Sequence, residues 1–118
     1  MTKADIAEVV HGVIRLYKLK LGEEDVGSWA EATKMSKDST LIGVEYVMNN
    51  PNTTAEHQHE AWCKHKEDTG WLPGKVDNDK LKTSTLLIPF SDIALKNQTK
   101  STLFINVVKS LLPMQQFI

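Results

Sequence analysis

The sequence predicts a small, mainly α-helical domain of about four to five helices, with a short extended loop before the last helix. Helices are favoured because apolar residues recur at steps of three and four, and residues with N-capping side chains precede these patterns. The loop is indicated by Gly70-Trp71, which a run rich in Pro, Gly, Asp and Lys follows. A composition of 41% hydrophobic and 25% charged residues is that of one globular domain.

The first predicted helix begins at Thr2, whose side chain can form a cap together with Asp5. Gly22 is expected to end it, because glycine tolerates the left-handed conformation found after helices. Its apolar face consists of Ile6, Val10, Val13, Ile14, Tyr17 and Leu21.

Two more helices are predicted before the Asn-Asn-Pro sequence at 49–51, which is typical of a helix stop. Ser28 and Glu31 have the spacing of a capping box and predict a short second helix, with Trp29 in the core. Residues 36–48 predict the third, because their apolar side chains share one face.

A fourth helix is predicted to begin at a capping box of Thr53 and Glu56 and to run to Thr69. Gly70 is its expected left-handed terminator. The clearest helical stripe comes last and is expected to end at Pro113, which cannot donate a backbone hydrogen bond. This stripe consists of Leu103, Phe104, Val107, Val108, Leu111 and Leu112.

Charge and cysteine content exclude some classes of protein. A net charge of −1 is unlike that of a protein that neutralises many phosphates, so a nucleic-acid polymer is not an expected partner. The single Cys63 cannot form an internal disulfide, and the N-terminus lacks the pattern of a signal peptide. No apolar run is long enough to span a membrane, and the expected location is the cytoplasm.

No catalytic, metal or cofactor motif is found. The sequence "HEAWC" begins like a zinc-protease helix, but Cys63 stands where the second histidine should be. A His59 and Cys63 pair with no third orienting group is typical of an ordinary helix surface. We therefore expect no enzyme activity, no cofactor and no metal.

The stretch from His59 to Lys82 combines aromatic faces with cations. Trp62 and Trp71 could stack on a base, and nearby lysines could bind phosphates. The same tryptophans could instead fill the core while lysine stems pack beside them. Both interpretations remain open. The candidate ligand-binding residues are His59, Trp62, Lys66, Trp71, Lys75, Lys80 and Lys82.

These residues, with their spacing, resemble the ryanodine receptor repeat (RyR) domain. Its hallmark is a His-x-x-Trp helix, a Gly-Trp turn, a second glycine, a basic loop and a Leu-Val-Pro-aromatic segment. The corresponding positions here are His59, Trp62, Gly70, Trp71, Gly74, 75–82 and 87–90. The chain is also similar to the stand-alone form of this domain found in bacteria and bacteriophages. That similarity extends to Ile6-Ala7, His11, Tyr17, Trp29, Gly43-Val44, Asn50-Pro51, Lys100 and Leu103-Phe104.

The resemblance implies one helical domain over 1–118, with an N-terminal helical part at 1–50, a repeat core at 51–112 and a tail at 113–118. It further implies binding without catalysis, with a nucleotide-derived ligand as the expected partner and sequestration of an immune signalling nucleotide by a phage as a role. Receptor repeats pair about a pseudo-twofold axis, so a homodimer or higher homo-oligomer is expected. The alternative is a protein-interaction module whose aromatic patch binds a partner or a second copy.

Three features depart from the family pattern, one of them near the end of the chain, where Lys100-Ser101 replaces Lys-Asp. Asp77 replaces a basic residue of the loop, and the usual His-Pro is absent at 84–85, where the sequence is Ser-Thr. Phosphate-binding residues are therefore not transferred directly, although Lys75 and Lys80 are close enough in sequence to substitute.

Overall fold

The computed structural model describes residues 1–115 and is mainly α-helical, with a short extended segment after the Gly-Trp turn, as predicted. Four α-helices are present: α1 (Lys3–Lys20), α2 (Lys34–Asn49), α3 (Ala55–Asp68) and α4 (Leu95–Gln115). Two short strands, β1 (Leu72–Pro73) and β2 (Thr83–Ser84), and a 3-10 helix (Phe90–Asp92) lie between α3 and α4.

The core lies where α1, α2 and α4 meet. Its buried residues are Ile6, Ala7, Val10, Val44, Val47, Ile105 and Val108. Trp29 is half-buried and packs against this cluster, which confirms its predicted position. Helix α3 packs against α2, α4 and the 3-10 helix, and its residues Trp62 and Lys66 line a space beside these contacts.

Helix α1 has the predicted ends. Thr2 and Asp5 form a reciprocal capping box, in which the Thr2 N–H donates to Asp5 at 2.8 Å and the Asp5 N–H to Thr2 at 3.1 Å. Gly22 follows the helix with φ of +79°, a conformation that costs glycine nothing.

The predicted short helix at Ser28 is wrong. Ser28 and Glu31 do bond to each other, but the segment forms a single turn closed by two backbone bonds, from Glu31 to Ser28 and from Ala32 to Trp29. Capping contacts are local and can close one turn, whereas a helix needs further turns to offset its nucleation cost. Helix α2 begins instead at Thr33, whose side chain accepts from the Ser36 N–H.

Two other helix ends also differ from prediction. Thr54, not Thr53, caps α3, because Thr54 is exposed and extended while Thr53 is buried and its carbonyl accepts from Lys109. Pro113 does not end α4, which runs to Gln115, since a proline removes one donor but leaves the rest of the last turn intact. Gly70 ends α3 with φ of +90°, as predicted. Of the predicted tail, residues 116–118 lie outside the described residues.

Gly43 lets α2 and α4 approach closely. A Cβ at this position would lie 2.8 Å from Cζ of Phe104 and 3.4 Å from the Gln58 side-chain nitrogen. Gly43 is therefore a packing residue inside α2, where a larger residue would clash.

Two parts of the loop between α3 and α4 pair with each other. Leu72 and Pro73 pair in parallel with Thr83 and Ser84. Asp77 braces this loop, because its Oδ1 accepts from both the N–H and the hydroxyl of Thr85, at 2.8 and 3.0 Å. Among the described residues, no helix has the length and apolar character needed to cross a bilayer.

Candidate functional site

The side chains of Trp62, Lys66 and Trp71 come together where α3 meets the Gly-Trp turn. The Lys66 ammonium lies 4.3 Å from the ring centroid of Trp71 and 5.7 Å from that of Trp62. The helical spacing of Trp62 and Lys66 places both on one face, and the Trp71 N–H donates to the Lys66 carbonyl at 2.9 Å. Three of the predicted site residues are thus neighbours.

Lys66 is buried, with only 9% of its surface exposed, which is unusual for a lysine. None of the ion pairs among residues 1–115 includes it. Burial lowers the pKa of Lys66, and the negative charge of Asp79 offsets part of that shift. The aromatic faces stabilise the cation in place of a carboxylate.

Lys66 lines an open cleft of about 930 Å³ between all four α-helices and the loops at 23–33 and 77–86. That volume lies in the range of small-molecule sites. The cations that line the cleft are Arg15, Lys18, Lys66, Lys96 and Lys100. The carboxylates that line it are Glu23, Glu24, Asp25, Glu31, Asp77 and Asp79.

Two of these cations are already paired with the acidic segment 23–25. Lys100 donates to both oxygens of Glu23 at 2.9 and 3.0 Å, and Arg15 donates to both oxygens of Asp25 at 2.7 and 2.8 Å. Arg15 and the Gly27 N–H together lower the pKa of Asp25 to about 2. These pairs hold the segment against the cleft.

Lys18 is a second covered cation of the cleft without a carboxylate partner among the described residues. Burial, followed by repulsion from Lys100, lowers its pKa. The charged forms of Lys18 and Lys66 are therefore both less stable here than in water, and an anion between them would relieve that cost.

The remaining predicted lysines lie elsewhere. Lys75, Lys80 and Lys82 are exposed and do not line the cleft, and the Lys82 ammonium donates to the Thr69 carbonyl at 2.9 Å. The cations that do line it on α1 and α4 were missed from sequence. The sequence did contain a signal for them. Arg15 and Lys18 are three positions apart and Lys96 and Lys100 are four apart, so each pair lies on one face of its helix.

His59 is engaged by neighbouring residues of the fold. Sequence patterns named it as a candidate ligand-binding residue, but its Nε2 lies 2.9 Å from the Ile88 carbonyl and 3.2 Å from the Cys63 sulfur. Its ring stacks on Trp62 at 5.6 Å, so it joins the Leu-Ile-Pro-Phe segment to the site. Burial raises the pKa of Cys63 to about 11, which keeps it a thiol at neutral pH.

A smaller side pocket of about 190 Å³ adjoins the cleft and shares Trp62 and Phe104 with it. Gln58 and His59 line the side pocket but not the cleft, and Ser39 lines both spaces. Gln58 and Ser39 also border a third, very small space beside Gly43. Sequence analysis gave Gln58 no role, because a lone glutamine on a helix carries no motif. No group of three or more His, Cys, Asp or Glu side chains within 1–115 is placed to hold a metal.

A comparison with protein families finds one match to this chain. A family model described as RyR domain matches residues 39–117, which is well over half of the 118 residues. The matched region includes most of α2, all of α3 with its Gly-Trp turn, and α4. No curated protein matches, and no solved structure matches.

Proposed function

From the premise that this chain belongs to the RyR domain family, we propose that it is a non-catalytic binding protein that takes a nucleotide-derived small molecule in the cleft beside Lys66. The main observation behind this proposal concerns the Lys66 side chain, which is buried. Its ammonium lies over two tryptophan rings and has no carboxylate partner among the described residues. A buried cation that costs stability is typical of a residue kept for binding.

The chemistry of the cleft suits each part of such a ligand. Lys18 and Lys66 offer positive charge to a phosphate, and Trp62 offers a half-buried aromatic face to a base. Glu24 and Asp79 face the cleft without an ion-pair partner in the described part of the chain, and such carboxylates accept hydrogen bonds from ribose hydroxyls. An all-phosphate ligand fits less well, because the cleft has about as many carboxylates as cations.

The proposed role is sequestration in the cytoplasm, as a phage protein that removes an immune signalling nucleotide. Sequestration needs only tight binding and slow release, so it places no demand for a base or nucleophile on the site. The thiol state of Cys63 is compatible with such a role.

The test is calorimetric titration with ADP-ribose, ADP and cyclic AMP, each against the native chain, Lys66→Met and Lys64→Met. Lys64 is exposed on the same helix and does not line the cleft, so it controls for loss of one positive charge. We expect at least one probe to bind and Lys66→Met to weaken it by about tenfold or more, because a charge-assisted contact to phosphate is lost. Equal affinity of the two variants, or no binding of any probe, would overturn the proposal.

A second candidate function is self-association. Leu72, Val76 and Leu81, on the loop that follows the Gly-Trp turn, are 64%, 69% and 72% exposed. Apolar side chains this exposed in one segment are typical of a surface that contacts another protein. The proposed occupant is a second copy of this chain. Analytical ultracentrifugation of the native chain and of Leu81→Ser tests it, with a monomer at all concentrations as the contrary result.

A further inference from the structure

The side pocket has the size of a subsite rather than of a complete ligand site. Its volume of about 190 Å³ is well below that of the adjoining cleft, about 930 Å³. Small-molecule sites have volumes of about 300–1,000 Å³, so the side pocket has room for one ring system of a larger ligand. Trp62 and Phe104 line both spaces, so a ligand in the cleft can extend into the pocket without crossing a wall.

Gln58 is a largely buried polar residue of this pocket whose side-chain amide has no partner among the described residues. Its side chain is only 7% exposed, yet among residues 1–115 its amide forms no hydrogen bond, while its backbone N–H bonds to Thr54. Buried amides in folded proteins are nearly always hydrogen-bonded. The Gln58 amide is therefore available to a hydrogen-bonding group of a ligand in the pocket.

Three other polar groups of the pocket are already engaged, and one fully buried group is an exception. Thr40 donates to Ser36, Asn97 accepts from Lys100, and His59 Nε2 contacts Ile88. The exception is the Ser39 hydroxyl, the one buried side-chain oxygen or nitrogen of the described residues without a partner. Ser39, Gln58 and Ser101, for whose side chains no hydrogen bond is found among the described residues, thus line the same small space.

We propose that the side pocket is an adenine subsite in which the Gln58 amide bonds to the base edge while the ring lies against Trp62 and Phe104. This inference rests on the proposed function, since the base belongs to the ligand whose phosphate binds beside Lys66. An amide presents one donor and one acceptor side by side, which match N7 and the N6 amino group of adenine.

The mostly apolar wall favours adenine over other bases. On the corresponding edge of guanine both groups are acceptors, so one amide can satisfy only one of them. Cytosine and uracil carry a further carbonyl that would be left without a partner. An unpaired polar group in an apolar pocket disfavours binding.

The test compares AMP with purine riboside 5′-monophosphate, which lacks only the 6-amino group, and with ribose 5-phosphate, which lacks the base. Each is titrated by calorimetry into the native chain, Gln58→Leu and His57→Leu. His57 is the exposed neighbour of Gln58 and lines neither space, so its variant controls for a leucine on α3.

We expect AMP to bind the native chain and His57→Leu about tenfold more tightly than purine riboside 5′-monophosphate. Gln58→Leu should bind both nucleotides equally and should leave ribose 5-phosphate unaffected. If Gln58→Leu does not fold, Gln58→Asn, which withdraws the amide by one methylene, should lower the preference for AMP.

The outcomes separate the two proposals. Binding of ribose 5-phosphate with an AMP preference that survives in Gln58→Leu overturns the adenine subsite and leaves the binding function intact. No binding of any of the three probes overturns both.

Discussion

The Lys66 ammonium lies over the ring of Trp71, 4.3 Å from its centroid, while the Trp71 N–H donates to the Lys66 carbonyl at 2.9 Å. The left-handed Gly70 between them reverses the chain, so that the tryptophan returns onto the helix that it follows. The Gly-Trp turn therefore builds the site as well as ending α3.

Lys66→Met should not destabilise the fold. Methionine keeps most of the side-chain volume and removes a charge that burial disfavours, so the free energy of unfolding at neutral pH should stay equal or rise by about 1 kcal/mol. The folded pKa lies below 10.5, so the unfolded chain binds the proton more tightly, and the native chain gains stability as pH rises toward 10.5. The difference in the free energy of unfolding between the native chain and Lys66→Met should therefore shrink as pH rises toward 10.5. Urea denaturation measures it, and a loss of more than about 1 kcal/mol at neutral pH would contradict it.

Asp25→Asn should weaken the dependence of the free energy of unfolding on pH in the acid range. The folded pKa of Asp25 is about 2 against 3.8 in the unfolded chain, so this carboxylate stabilises the fold above pH 3.8 and loses that effect as pH falls through about 2. The variant should be less stable than the native chain at neutral pH and should approach it in acid. Asp68→Asn, an exposed position outside the ion pairs of the described residues, serves as control. If plots of the free energy of unfolding against pH run parallel for all three proteins across this range, the expectation is refuted.

Glu23→Gln should strengthen binding of an anionic ligand. Glu23 occupies the Lys100 ammonium through two hydrogen bonds, and a ligand phosphate must compete with it. Neutralising Glu23 should raise the affinity for ADP by about threefold, in line with the modest energy of an accessible ion pair. Glu8→Gln, at an exposed position of α1 away from the cleft, should leave affinity unchanged. Calorimetry that finds equal or weaker binding by Glu23→Gln would argue that Lys100 does not contact the ligand.

Gly12→Ala and Gly43→Ala should have opposite effects although both glycines lie inside helices. A Cβ at Gly12 meets nothing within 4 Å, so alanine should stabilise α1 by about 0.5–1 kcal/mol. A Cβ at Gly43 meets Phe104 at 2.8 Å and must push that ring toward the side pocket. Gly43→Ala should therefore gain no stability and should lose AMP binding. Thermal unfolding and AMP titration of both variants test this, and equal behaviour would show that Phe104 has other space to move into.

Cys63 should resist alkylation. Its pKa of about 11 leaves almost no thiolate at neutral pH, and thiolate is the reacting species. Iodoacetamide should modify the folded chain far more slowly than it modifies the urea-unfolded chain, as followed by intact mass. Modification of the folded chain at the rate of the unfolded one would show that His59 activates the sulfur.

Local signals in the sequence were sufficient for the helices that end in solvent. The capping box of Thr2 and Asp5 and the glycines at 22 and 70 act within a few residues. They therefore begin or end a helix whatever the rest of the fold is. The same reasoning failed at Ser28, where a genuine capping contact closes a turn and no helix follows. The apolar stripe likewise located α4 but not its extent, because a proline near a helix end removes only one bond.

The sequence by itself determined the mainly helical class, the family hallmark around the Gly-Trp turn and the shared face of Trp62 and Lys66. These depend on periodicity and spacing along one element. Only the tertiary structure decided which cations face the cleft, because Lys18 and Lys100 lie on helices far apart in the chain and meet through packing. It also decided that Gln58 is largely buried and that its side chain has no partner among the described residues, since a hydrogen bond depends on every neighbour that the fold brings to a polar group.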